Sequence, residues 1–460
     1  MPHLPEDGGL SDGKGASAGS ATARGYVHNG VLTSVLLASA ANALNQADRS
    51  IMPVAAIPMR KEFGWTLMQT GWVLSAFAVG YIVAQLPSGW ASTRLPPLEL
   101  LFVAALCTSA STGLVPASAS RGQGTLLACR VALGLAEGFC LPAIFQLFTD
   151  RVPANMRSKA FAFMIGCGSV GQVLAVVVCP HLRPWRLIFT IFGSAGLVWC
   201  GACAVLMLRP CRETQGHPQD VGLGEGLGAL GDVGRRHENE GLKARCEEGS
   251  SGAALEGVAL WHRLLSCPPL LALCAAHFGQ NWTNYMLASW LPTYLHDVLG
   301  MPMSHLSLTA LPFLVNALAG VSIGHLADIA ATRHWCSLLG VRRVATTVGL
   351  LGPAMCQIFF AMTSSPSLAL VLVSLSYLCG AATSSGYMAN HADITSRHAG
   401  LTFSIANTFA TLPGITAGPL TARMVSANGG SWWSVFMLAA LINAVAAGVY
   451  LAFAQAHRVL

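Results

Sequence analysis

Apolar stretches of about 20 residues dominate this chain from residue 31 to near its end. A helix of that length crosses the roughly 30 Å hydrocarbon core of a bilayer. Six stretches precede a polar interval and six follow it, with predicted bounds 31–57, 70–92, 98–118, 124–148, 160–180, 187–208, 270–295, 306–327, 341–362, 367–388, 399–425 and 432–454. The pattern predicts an all-α integral membrane protein with 12 transmembrane helices in two six-helix, pseudo-symmetric bundles.

Composition excludes a soluble alternative. Charged residues are 10% of the chain and hydrophobic residues 53%, whereas soluble globular proteins carry about 25% charged residues. A particle of this size would have too little polar surface to face water on all sides. We therefore expect the lipid bilayer to be a partner of most of the surface, and we expect no nucleic-acid partner despite the net charge of +6.

Four regions follow from this pattern. We predict a disordered cytosolic N-terminus at 1–30, an N-terminal six-helix bundle at 31–208, a flexible cytosolic linker at 209–267 and a C-terminal six-helix bundle at 268–460. The linker prediction rests on a glycine-rich tract with seven basic and nine acidic residues between 209 and 263.

Orientation follows from the loop charges, because cytosolic loops are enriched in Lys and Arg. With the N-terminus inside, the inner loops and ends outside the linker hold eleven basic residues and the outer loops hold six. The sequence therefore predicts a multi-pass membrane protein with both termini in the cytosol. The N-terminal 30 residues match neither a signal peptide nor an Arg-rich transit peptide, so plasma membrane, endomembrane and plastid envelope all stay open.

Four charged residues fall inside predicted membrane segments: Asp48, Arg49, Arg130 and Glu137. Each charge costs on the order of 3 kcal/mol at the centre of a bilayer, so we expect these side chains to pair or to face water. Arg130 and Glu137 are two helical turns apart and share one face, whereas the adjacent Asp48 and Arg49 diverge by roughly 100°. An arrangement that fits pairs Asp48 with Arg130 and leaves Arg49 free for a ligand.

These four charges also suggest a mechanism. They sum to zero, so an anion that enters beside them adds uncompensated negative charge in a medium of low dielectric constant. A proton on Asp48 or Glu137, or a bound Na⁺, restores neutrality, which predicts cation-coupled anion transport. The alternative is a salt-bridge cluster that only holds helices together, but ionisable residues inside membranes are by default parts of transport pathways.

The seventh segment carries a dense group of polar side chains, including His277, Gln280, Asn281, Asn284 and Tyr285. These side chains either line a cavity or hydrogen-bond neighbouring helices, and we favour the cavity. The sequence shows no nucleophile–base pair and no metal-ligand constellation, so we predict no enzyme activity, no metal site and no cofactor other than a coupling ion, H⁺ or Na⁺.

Several stretches resemble one known family. The stretches are NQADRSIMPVAAIPM (45–59), RVALGLAEGFCLPA (130–143), SWLPTYL (289–295) and NHADITSRHAGLTFSIANTFATLPG (390–414). They are similar to the anion:cation symporter family of the major facilitator superfamily, which includes sodium-phosphate cotransporters, sialin and vesicular glutamate transporters. The similarity extends over most of the membrane region and is greatest to the plant and algal phosphate and ascorbate transporter branch. It implies the major facilitator fold.

The resemblance also implies roles for individual residues. By motif position, the family's two substrate-binding arginines fall on Arg49 and Arg130, and its proton-coupling acids fall on Asp48 and Glu137. It further implies substrate-binding positions for four uncharged polar residues: Tyr81, Gln280, Asn281 and Asn407.

One family signature is altered. The superfamily's gating motif between its second and third helices contains an Asp, and Thr93 stands at that position, followed by Arg94. The equivalent motif in the second half keeps its acid as Asp328. By resemblance, Arg94 and Asp328 are gating residues, and the loss of the first acid predicts a weaker cytosolic gate.

We therefore predict a monomeric secondary active transporter of an inorganic or organic anion, such as phosphate, ascorbate or another carboxylate, coupled to H⁺ or Na⁺ and working by alternating access. An anion uniporter driven by membrane potential is an alternative mechanism. A nutrient receptor that does not transport is a further alternative, to which only Thr93 points.

Overall fold

A computed structural model describes residues 15–208, 266–395 and 399–458. Residues 1–14 of the predicted N-terminal region and 209–265 of the predicted linker lie outside these described ranges. Over the described ranges, the chain forms α-helices and short 3₁₀ segments joined by short connections.

The first half contains seven α-helices. They are α1 (Gly15–Phe63), α2 (Leu67–Arg94), α3 (Pro97–Arg121), α4 (Gln123–Gly138), α5 (Cys140–Arg151), α6 (Ala154–Val178) and α7 (Arg186–Leu208). Only Phe139 separates α4 from α5, so the two form one interrupted rod. A 3₁₀ turn, Cys179–His181, follows α6.

Residues 266–395 and 399–458 form seven further α-helices. They are α8 (Pro268–Asp297), α9 (Leu311–Thr332), α10 (Leu338–Met362), α11 (Pro366–Gly380), α12 (Tyr387–Ile394), α13 (Ala399–Ala427) and α14 (Trp433–Phe453). The 3₁₀ segment Met303–Ala310 leads into α9, and Ala381–Ser384 interrupts the rod formed by α11 and α12. Counting each interrupted rod once, the described residues of each half form six rods, which agrees with the twelve predicted segments.

Most of these rods are apolar enough to span a membrane. Among the described residues, nine are both long enough and hydrophobic enough to cross one. The remaining three are α1, α8 and α13, and each of them contributes polar side chains to the space between the halves. Their lower hydropathy is therefore explained by the face that they turn away from lipid.

Helix α1 starts earlier than the sequence predicted. It begins at Gly15, whereas we predicted disorder up to residue 30. Four alanines between residues 16 and 23 favour helix, and extending an existing helix avoids the cost of nucleation.

Small residues let the helices around the site approach closely. A methyl group added at Gly134 of α4 would lie 2.0 Å from the Phe77 carbonyl oxygen of α2. Between the two halves, a methyl group at Gly71 of α2 would lie 2.7 Å from the carbonyl oxygen of Gly418 on α13. Close backbone approach at small residues is the usual packing of helices in membranes, and here it brings α2 against both α4 and α13.

Candidate functional site

A cavity of about 490 Å³ lies between the two halves. Residues from α1, α2, α4, α5 and α6 line one wall, and residues from α8, α9, α11, α12 and α13 line the other. Because both halves contribute, a change in their relative position changes access to the cavity.

Arg49 and Glu137 form an ion pair in the N-terminal wall. Arg49 Nε on α1 donates a hydrogen bond to Glu137 Oε1 on α4, and Glu137 is only 2% exposed. The Arg49 guanidinium also lies over two aromatic rings of α2, with its central carbon 4.7 Å from the centre of the Tyr81 ring and 5.0 Å from that of Phe77. These cation–π contacts hold the guanidinium at the cavity surface.

Arg130 has a different environment. It lines the cavity but is only 3% exposed, and its Nε atom has no hydrogen-bond partner. Its guanidinium carbon lies 5.7 Å from the centre of the Phe77 ring. A buried donor without a partner costs about 1–3 kcal/mol, and an anion that accepts this hydrogen bond removes that cost.

The predicted pairing of Asp48 with Arg130 is wrong. Neither residue belongs to an ion pair in the described part of the chain, although Asp48 is 5% exposed. The reason is the rotation of α1, which directs Arg49 rather than Asp48 towards Glu137 and the cavity. Arg49 is therefore partnered, and Arg130 is the arginine with a spare donor.

Four asparagines, Asn281, Asn284, Asn316 and Asn407, line the facing wall. Asn281 of α8 lines the cavity and donates a hydrogen bond of 2.9 Å to the carbonyl oxygen of Ala410 on α13. Asn407 also lines the cavity, and its Nδ2 lies 3.4 Å from Gln85 Oε1 on α2. The structure thus places Asn281, Asn407 and Tyr81 where the sequence predicted them, in the cavity lining.

We expected Gln280 to line the same cavity as Asn281, but this expectation is wrong. Gln280 accepts a hydrogen bond from the Tyr387 hydroxyl and lines a second, smaller pocket of about 60 Å³ inside the C-terminal half. Adjacent residues on a helix diverge by roughly 100°, so Gln280 and Asn281 face different spaces.

The cavity contains residues that the sequence did not single out. They include Gln46, Phe77, Gln172, Asn316 and Tyr377. Asn316 and Gln172 each stand in an otherwise apolar stretch, which is a usable signal of an interior face. Phe77 gave no such signal, because an aromatic side chain can equally well face lipid.

Several polar contacts join the two halves at one end of the cavity. Arg60 at the end of α1 forms an ion pair with Asp297 at the end of α8. Nearby, the Ser307 hydroxyl donates to the carbonyl oxygen of Val177 at 2.9 Å and lies 2.9 Å from His181 Nε2. Beside Arg60, Glu62 accepts hydrogen bonds from Arg186 and Trp185, which lower the pKa of Glu62.

The predicted gating residues, Arg94 and Asp328, lie at the end of the helices that is opposite to the Arg60–Asp297 ion pair. Arg94 is exposed and lies over the Trp90 ring, with 5.0 Å between the guanidinium carbon and the ring centre. Asp328 is exposed on α9. The side chain of Thr93 is outside the described part of the structure.

Comparison with known proteins identifies the family. The Major Facilitator Superfamily profile matches residues 38–335. The chain belongs to the major facilitator superfamily. Sialin from Ovis aries is 31% identical over 403 residues, a match that covers 86% of this chain and 77% of sialin.

Two further similarities are informative. The "Sodium-dependent phosphate transport protein 1, chloroplastic" of Arabidopsis thaliana is 28% identical over 431 residues, which covers 93% of this chain and 79% of the relative. A bacterial homolog of the human lysosomal transporter Spinster, solved in an inward-facing and unoccupied conformation, superposes with a TM-score of 0.71 at 18% identity and covers 92% of this chain and 96% of that one.

Together, the profile, the relatives and the fold place the chain in the anion:cation symporter group of this superfamily. The chain is a multi-pass membrane transporter of small molecules, and its relatives are transporters rather than enzymes.

Proposed function

We propose that this protein is a secondary active transporter of an anion, coupled to H⁺ or Na⁺ and working by alternating access. The observation that carries the proposal is Arg130, a nearly buried guanidinium in the cavity wall with an unpartnered Nε. Arg keeps its charge when desolvated and offers a planar fork to phosphate or carboxylate. Phosphate, carboxylates and the enolate anion of ascorbate all fit this chemistry.

Arg49 completes the anion site from α1. Its Nε is occupied by Glu137, but 28% of its side chain stays exposed. The substrate therefore binds Arg130 through a free donor and competes with Glu137 for Arg49. Tyr81, Asn281 and Asn407 line the same cavity and supply neutral hydrogen-bonding groups.

Coupling follows from charge balance in the N-terminal half. Asp48, Arg49, Arg130 and Glu137 sum to zero when ionised, so a bound anion leaves excess negative charge in a buried site. A proton on Glu137 would release Arg49 to the substrate, and a proton on Asp48 would leave the charge of Arg130 fully available. A bound Na⁺ would also compensate the excess negative charge of the bound anion.

Alternating access uses the two ends of the cavity. The Arg60–Asp297 ion pair supports closure at one end, and we assign gating roles to Arg94 and Asp328 at the other. The distribution of basic residues among the loops supports a cytosolic position for the end that carries Arg94 and Asp328. It supports the same position for both termini and for the linker. One chain supplies both walls of the cavity, which supports a monomer as the transporting unit. The relative named as chloroplastic makes the plastid envelope the first membrane to examine by imaging a tagged protein.

Uptake into proteoliposomes under separately imposed gradients tests the proposal. Radiolabelled phosphate and ascorbate are offered under an inward H⁺ gradient, an inward Na⁺ gradient or a membrane potential alone. Accumulation driven by H⁺ or Na⁺ with the potential clamped supports symport. Accumulation driven by potential alone would make the protein a uniporter, and no uptake of any anion in a wide competition panel would favour a receptor that does not transport.

A further inference from the structure

The smaller pocket of about 60 Å³ lies wholly within the C-terminal half, between α8, α9, α10, α11 and α14. It has room for a small ion and one or two waters. None of its lining residues, all of them in the described part of the chain, carries a formal charge, and most present a polar side chain. Such a lining offers an anion no cationic partner, but it offers oxygen atoms to a cation.

One oxygen ligand is a side-chain carbonyl. Asn443 is 1% exposed, its amide nitrogen donates to Thr283 Oγ1 at 2.6 Å, and its Oδ1 has no hydrogen-bond partner. Gln357 repeats this arrangement on the other side of the same hydroxyl, with Nε2 donating at 2.9 Å and Oε1 left unpartnered. Two buried amide oxygens, one of them on a residue that lines the pocket, therefore lack a partner, and a cation or a water can satisfy them.

A second oxygen ligand comes from the main chain. Gly349 and Pro353 of α10 both line the pocket, one helical turn apart. In a helix, the carbonyl of residue 349 would accept a hydrogen bond from the N–H of residue 353, and proline has none. The proline therefore leaves a carbonyl oxygen available at the pocket.

The interrupted rod adds a favourable field. Helix α11 ends at Gly380, and Ser376 and Gly380 from its last turn line the pocket. The C-terminal end of a helix carries partial negative charge. Broken helices in transporters commonly bind Na⁺ through freed carbonyls and the C-terminal ends of half-helices.

We propose that this pocket, built around Asn443, Gly349 and the end of α11, is a Na⁺ site. The site contains no carboxylate, so the negative charge that balances Na⁺ must come from elsewhere. Asn284, Asn316 and Tyr377 line both this pocket and the main cavity, so an anion in the main cavity is the nearest source. Na⁺ and the anion therefore stabilise each other, which deepens the proposed function, on which this part of the inference rests.

Na⁺ binding is measured on the purified full-length protein, without transport. We expect NaCl, but not KCl or choline chloride at equal ionic strength, to raise the melting temperature, and added phosphate to lower the half-saturating Na⁺ concentration. Asn443→Ala raises the half-saturating Na⁺ concentration by about tenfold or more, because one ligand is lost. Asn390→Ala is the matched control: Asn390 is also 1% exposed with an unpartnered Oδ1, but it bonds Tyr450 and does not line this pocket.

A second variant covers the case in which Asn443→Ala fails to fold. Pro353→Ala restores the missing N–H and removes the free carbonyl without truncating a polar contact, so it should also weaken Na⁺ binding. Equal stabilisation by Na⁺ and K⁺, or a Na⁺ effect unchanged in both variants, would overturn the site. If Na⁺ has no effect while a pH gradient still drives anion uptake, only the Na⁺ site fails. If no anion is transported under any gradient, the proposed function fails as well.

Discussion

Arg49 of α1 donates a hydrogen bond to the buried carboxylate of Glu137 on α4, across the wall of the central cavity. This contact joins a substrate-binding candidate directly to a proton-coupling candidate. Any event that neutralises Glu137 releases the guanidinium, and any anion that takes the guanidinium leaves Glu137 as an unpaired buried acid that favours a proton. Substrate and proton are thereby linked through one ion pair.

Glu137→Gln should separate binding from coupling. The variant keeps the shape of the side chain and frees Arg49, which faces the cavity and so tolerates the loss of its partner. We expect uptake driven by a pH gradient to fall by about tenfold or more, because the titrating group is gone, while anion exchange persists. Counterflow and gradient-driven uptake in the same proteoliposomes measure the two. Loss of both activities in a folded variant would assign Glu137 to substrate binding instead.

Arg130→Lys should weaken substrate binding while preserving the fold. Lysine keeps the positive charge near Asp48 and Glu137 but lacks the planar fork. We expect the affinity for the transported anion to fall roughly 10- to 100-fold, measured as the concentration of unlabelled anion that competes with labelled substrate. Arg423→Lys, on an exposed position of α13, is the control and should leave affinity unchanged. An unchanged affinity in Arg130→Lys would mean that Arg130 binds no substrate.

The Arg60–Asp297 ion pair should stabilise closure at its end of the cavity. Both side chains are about a quarter exposed, and such pairs contribute at most about 1 kcal/mol. Arg60→Asp should therefore raise the population open at this end by up to about fivefold, and adding Asp297→Arg should reverse the change. Distances between spin labels on the two halves report the populations.

Arg186→Ala is the control for that experiment, because Arg186 pairs with Glu62 inside the N-terminal half. It should leave the distances unchanged. If the charge-swapped double variant behaved like Arg60→Asp, the ion pair would not be the cause of the shift.

The sequence predicted the fold well because lipid imposes a simple rule. Counting the adjoining 3₁₀ turns, eleven of the twelve predicted segments fall within a helical rod, and the twelfth exceeds α14 by one residue at each end. The agreement arises because every spanning helix must be apolar over about 20 residues. The same rule made Asp48, Arg49, Arg130 and Glu137 stand out among 26 basic and 20 acidic residues.

The partners within the site were not predictable in this way. Pairing depends on the rotation of α1 about its axis, and hydropathy does not encode that rotation when Asp48 and Arg49 are adjacent. Adjacent residues diverge in the same way on α8, so Gln280 lines the small pocket whereas Asn281 lines the cavity. The helix interruption after Gly380 falls inside a continuous apolar segment. The hydropathy pattern therefore predicted neither the interruption nor the polar pocket beside it.

The most direct test removes Arg49 without leaving a buried charge behind. Arg49→Ala alone leaves Glu137 as a buried charge without a partner, and breaking a buried ion pair costs about 3–5 kcal/mol. The change is therefore made in the Glu137→Gln background, and the Glu137→Gln single variant is the control. Uptake and exchange of radiolabelled phosphate and ascorbate are measured in proteoliposomes with equal amounts of folded protein. We predict that Glu137→Gln retains exchange and that the double variant shows none; exchange by the double variant at the rate of the control would contradict the assignment of Arg49 to the anion.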